Sequence, residues 1–231
     1  MPNRRCLIAI AVGVALAVPT RAANAQARTQ PSDDDLIYAG LSLAFPTYVL
    51  GVATHEYTHA LTAKLLGAEV LSVDLTPGRH RGAFHFGLTR VRGLNGAGER
   101  VAFYLAPKAV DVILLGGYAG LLLTDGWPDN RYAQLTLTVL ATGWWVDFSK
   151  DVLSFRPAND VNQAMKYMGL PTERQRWPVR VAYAAASIGL GWLVWRGYQR
   201  TFASDPAEPA ERAGDTAPDP TLALTLFTGR F

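Results

Sequence analysis

Five consecutive residues, His55-Glu56-Tyr57-Thr58-His59, carry the residue types and spacing of the HExxH zinc pattern. Positions four apart share one face of a helix, with Cβ atoms about 5–6 Å apart. Two imidazoles so placed can grip one zinc ion, and Glu56 can serve as general base toward a water beside it. Catalytic zinc takes three protein ligands and keeps a further position open. Cys6 is the only cysteine and falls in a targeting-type segment, so the third ligand has to be His, Asp or Glu. The metzincin continuation is absent, since Ala60, Leu61 and Thr62 follow His59. Glu69, Glu99, Asp111, Asp147 and Asp151 are all candidates on residue type alone, while His80 and His85 read as loop residues. Lys108 and Asp111, three apart, read as an ion pair inside a helix.

The elements that must position these groups are strongly apolar. Only 18% of the 231 residues are charged and 49% are hydrophobic, against about 25% charged in an ordinary soluble domain. Residues 1–25 have the layout of a signal peptide: Arg4 and Arg5, an apolar core Leu7 to Val18, and Ala23-Asn24-Ala25 as cleavage site. Residues 26–35 form a polar, acidic external leader, and residues 201–231, rich in Pro, Ala and acidic side chains, a disordered external tail. Between them, residues 36–200 read as one membrane domain. Its expected spans are Leu36 to Leu66 (kinked at Pro46, stopped by Gly67), Val101 to Leu123, Tyr132 to Phe148 and Val181 to Trp195. The runs Val70 to Leu75 and Ala83 to Leu88 bracket a turn-like Thr76-Pro77-Gly78-Arg79 and read as a β-hairpin. The fold class is therefore mainly α: a polytopic membrane helix bundle of about four spans, with a small β-hairpin inserted after the HExxH helix.

Loop charge orients the bundle. Arg79, Arg81, Arg90, Arg92 and Arg100 follow the first span, and Lys150, Arg156, Lys166, Arg174, Arg176 and Arg180 follow the third. The turn between the second and third has only Arg131. The positive-inside rule puts both basic segments in the cytoplasm and both termini outside, as a cleaved signal also requires. The net charge of +3 is thus read as lipid-facing, and no basic patch interleaved with aromatics points to nucleic acid.

The run from His55 through Ala68, HEYTHALTAKLLGA, resembles the active-site helix of the site-2 protease family of intramembrane metalloproteases. Ala106-Pro107 is similar to that family's Gly-Pro element. Pro157-Ala158-Asn159-Asp160 is similar to its approach to a ligand aspartate. The chain departs from the pattern at Val110, where the family has Asn, and at Val161, where it has Gly. The resemblance, which covers Leu36 to Met168, implies a zinc metalloendopeptidase cutting transmembrane protein substrates within the bilayer of a bacterial inner membrane. It implies a multi-pass protein with periplasmic N- and C-termini, His55, His59 and Asp160 as zinc ligands, and Glu56 as catalytic base. The alternative expectation is a non-proteolytic membrane scaffold or binding protein with a structural or degenerate metal site.

Overall fold

A computed structural model describes residues 31–80, 83–153 and 159–203; the signal-type segment, the start of the leader and the tail after residue 203 lie outside them. Among the described residues the chain forms five helices and four short strands, in the order α1 (Asp33–Leu65), β1 (Glu69–Asp74), β2 (Gly78–His80), β3 (Ala83–His85), β4 (Leu88–Arg92), α2 (Ala97–Leu123), α3 (Arg131–Leu153), α4 (Asp160–Tyr167) and α5 (Glu173–Thr201). The fold is mainly helical with small antiparallel sheets.

Helix α1 begins earlier than its apolar run. The Ser32 hydroxyl accepts from the Asp35 N–H, and the Asp35 carboxylate accepts from the Ser32 N–H in return. This capping box draws Asp33, Asp34 and Asp35 out of the expected leader and into the first helical turn, where acidic groups suit the positive end of the helix dipole. The helix continues through Pro46 to Leu65. It stops at Gly67, whose φ of 78° allows the Ala68 N–H to bond the Ala63 carbonyl at 2.8 Å, a Schellman closure. Helix α5 also starts before its apolar run, at Glu173, where the Gln175 side-chain oxygen accepts from the Thr172 N–H and hydroxyl. Arg174, Arg176 and Arg180, expected in a loop, therefore lie in its first turns.

Helix directions follow from cross-links. The Arg131 guanidinium, at the start of α3, donates to the Pro31 carbonyl (2.7 Å) and to the Thr201 carbonyl (3.0 Å), and pairs with the Asp33 carboxylate. The starts of α1 and α3 and the end of α5 thus meet. At the other end of α3, the Tyr183 hydroxyl of α5 donates to the Phe148 carbonyl at 2.6 Å. The Arg200 guanidinium donates to the Leu122 carbonyl at the end of α2. Hence α1 and α3 run one way, and α2 and α5 the other.

Two apolar clusters hold this arrangement. One joins α2, α3 and α5 through Leu115, Tyr118, Leu122, Ala141 and Val194, with Trp127 from the α2–α3 turn. The other joins the end of α1 to the start of α2 through Ala63, Ala68, Leu94 and Phe103. Helices α1 and α2 are long and apolar enough to cross a membrane. In α1 only 6% of the most apolar stretch is buried, and Leu41 and Phe45 are 69% and 73% exposed, unlike a core helix of a soluble protein. Helices α3 and α5 have the length but not the apolar window, since threonines, tryptophans and charges interrupt them.

The expected hairpin is replaced by another pairing. Strand β1 pairs antiparallel with β4, Val70 opposite Val91 and Val73 opposite Thr89, with a bulge between Val70 and Ser72. The run Ala83 to Leu88 is broken at Phe86-Gly87: its first part, β3, pairs with β2 in a separate small ladder, and only Leu88 joins β4.

Candidate metal centre

His55 and His59 sit on the buried side of α1, at 8% and 4% exposure, two turns before its end. Each ring is fixed from behind. The His59 Nδ1 lies 2.9 Å from the Phe103 carbonyl of α2, and a carbonyl only accepts, so Nδ1 carries the proton. The Phe103 ring stacks against the same imidazole at 4.5 Å. The His55 Nδ1 lies 2.8 Å from Asp147 Oδ2 of α3. With both Nδ1 atoms committed as donors, both Nε2 atoms point forward.

They converge on Asp160, whose Oδ2 is 3.0 Å from His55 Nε2 and 3.2 Å from His59 Nε2. One ligand atom from each of the three residues lies within 4.8 Å of the others. Asp160 is delivered by local capping. The Asn159 side chain accepts from the Asn162 N–H at 2.7 Å to start α4, and its amide donates to the Asp151 carbonyl at the end of α3. Asp160 is then the first helical residue. Burial alone would raise its pKa, but His59 and His55 hold it well below the usual carboxylate range. Separations of 3.0–3.2 Å suit either Nε2–H donation to the carboxylate or one metal ion held by all three ligand atoms. The donor set, two nitrogens and one oxygen, is that of a catalytic zinc site.

Glu56 points to the strand side of α1 and is 6% exposed. Its Oε2 accepts from the Thr89 hydroxyl of β4 at 2.7 Å, and the same hydroxyl lies 2.9 Å from the Glu56 carbonyl. Gly87 lies directly over it: a Cβ there would stand 2.6 Å from Glu56 Cγ and 2.8 Å from Oε1.

No protein-family model, curated protein or solved structure matches the chain. The functional reading therefore rests on the geometry and on the motif.

Among the aspartates considered as third ligand, Asp160 alone joins the histidines in this group. Asp147 stands one shell back, on His55. Asp111 and Asp151 flank the Lys108 ammonium at 3.9 and 3.2 Å, which extends the expected Lys108–Asp111 pair into a larger cluster. Glu99 accepts from the Asn95 and Gly96 N–H groups at the start of α2, and Glu69 pairs with Arg92 at the surface. His80 and His85 lie in the β2–β3 ladder. Sequence reasoning missed the Phe103 carbonyl, Thr89 and Gly87. The first is a backbone group and the others depend on the strand register, so no residue-type signal marks them.

An apolar cavity of about 740 Å³ runs along α1 and α3 toward this centre. Leu36, Leu41, Tyr48, Leu135 and Val139 are among its lining, and its inner end reaches Val52, Phe86, Asp147 and Lys150.

Proposed function

We propose that the protein is a zinc-dependent intramembrane endopeptidase of the site-2 protease type. The observation that carries this reading is the convergence of both Nε2 atoms on Asp160 while both Nδ1 atoms are tied behind. His55, His59 and Asp160 would hold a zinc ion, which would supply the Lewis acidity that peptide hydrolysis needs. Glu56 accepts a proton from the attacking water at its carboxylate and returns it to the departing amine nitrogen. Thr89 keeps the carboxylate aimed, and the covering strand and Gly87 limit access of bulk water. The cavity beside α1 offers an apolar route for a substrate segment that reaches the centre from the membrane. Burying a His pair and a Glu in so apolar a setting is costly unless they are used.

The membrane setting is part of the proposal. Four helices would span the bilayer of a bacterial inner membrane, α3 and α5 through lipid-facing residues and a polar inner side. Of the two basic segments, Arg90, Arg92 and Arg100, and Lys150, Lys166, Arg174, Arg176 and Arg180, lie near the end of α1 and α3, as cytoplasmic loops require. Residues 31 and 201 fall at the opposite, periplasmic end.

Glu56→Gln tests the reading. The purified, membrane-reconstituted variant is expected to keep stoichiometric zinc and to cleave a transmembrane-helix substrate about 10²–10⁴-fold more slowly. Cleavage at the wild-type rate would sink the protease mechanism and leave a binding protein with a structural metal.

A further inference from the structure

Lys108 lies in α2 and is 4% exposed. Its ammonium reaches α3, 2.5 Å from the Asp147 carbonyl, 3.0 Å from Asp147 Oδ2 and 3.2 Å from Asp151 Oδ2. Both hydrogen bonds of the ammonium go to Asp147, and Asp151 Oδ2 contributes at ion-pair distance. The same Asp147 Oδ2 receives the His55 Nδ1–H at 2.8 Å. The other carboxylate oxygen, Oδ1, pairs with Lys150, which is 36% exposed at the cluster's edge.

We propose that Lys108 is a positioning residue for the metal ligand His55, acting through Asp147. This rests on the metal-centre reading above. The carbonyl contact holds the backbone of Asp147 and the Oδ2 contact holds its rotamer, so the acceptor behind His55 is fixed at both ends. His55 is thereby kept in the Nδ1–H tautomer with Nε2 turned to Asp160. Lys108 also neutralises the carboxylates of Asp111, Asp147 and Asp151, which a leucine in its place would leave buried without a cation, so the test needs a readout at His55 itself. Partners behind a metal-bound histidine orient the ring and raise its basicity.

Position and charge make opposite demands, which makes the proposal decidable. Deleting a cation near a divalent metal strengthens metal binding by Coulomb attraction alone. Deleting a positioning group weakens it. The measurement is zinc affinity of the full-length protein in detergent, by competition with a chelator, for wild type, Lys108→Met, Lys108→Gln and the exposed control Lys64→Met. Lys108→Met is expected to weaken zinc binding about 10–100-fold, with Lys108→Gln intermediate because its amide still donates, and Lys64→Met unchanged. Long-range 1H–15N spectra of His55 supply the readout that a merely structural role would not move. The wild type shows Nδ1 protonated and Nε2 metal-bound, and the variants a mixture. Lys108→Gln keeps the test open where Lys108→Met does not fold. Unchanged or tighter zinc binding in either folded variant, with the wild-type His55 pattern, overturns the proposal. A wild-type protein that binds no zinc overturns the metal centre itself.

Discussion

His55 and Glu56 are neighbours in sequence, yet the protein holds them by opposite means. The histidine side is buried among four helices: α1 supplies both rings, α2 the Phe103 carbonyl and Lys108, α3 Asp147, and α4 Asp160. Every hydrogen bond there involves a charge or a backbone carbonyl, and the chain separations run from 39 to 105 residues. The glutamate side faces one short strand and rests on a single hydroxyl and a glycine. A metal needs its ligands fixed before it arrives, because every ångström of misplacement costs affinity. A base that shuttles protons needs aim but also some freedom, and a strand held by a small ladder allows it. The two sides are therefore expected to fail differently.

The largest break is on the ligand side. Asp160→Ala removes one of three donors, and zinc affinity is expected to fall by more than the roughly 100-fold that outer-shell partners produce. Zinc content after dialysis against a chelator measures it; full retention would mean that another aspartate is the ligand. Gly87→Ala breaks the base side. Its new Cβ drives into Glu56 and Val52, which is expected to cost about 1–3 kcal/mol of stability and much of the activity while zinc stays bound. A thermal melt beside zinc content checks this, and loss of zinc would show the two sides to be coupled. Thr89→Val sharpens the contrast with a smaller change. Loss of one hydrogen bond to a charged group, about 1.5–3 kcal/mol, should lower kcat about tenfold or more and leave zinc affinity alone. Parallel measurement of kcat and zinc competition separates the two effects.

The same division shows in what could be read from the chain. The histidine pair, the base and the Gly67 stop are local patterns, visible because helical periodicity brings i and i+4 together. Asp160 was reached only through a resemblance, since no local rule brings residue 160 to residue 55. Lys108 stood out as a charge in an apolar helix, but its partners on α3 depend on how two helices cross. The strand side was least legible. Two alternating runs of similar length compete to pair with Val70 to Leu75, and register alone decides which one lies over Glu56. At the start of α5, the arginines that follow Thr172 disguise a helix start as a loop.

The Arg131 guanidinium, which touches Pro31, Asp33 and Thr201 at once, has a consequence for topology. It leaves the two ends of the helical domain within one side chain of each other, so a few residues would join them. A circular permutant closed there and reopened in the Thr124–Asn130 turn, at the same end of the bundle, would keep the direction of every helix. It would place α3 first in synthesis and the HExxH helix fourth, after α4 and α5. The metal centre would then assemble from a chain in which its two histidines follow Asp160 instead of preceding it.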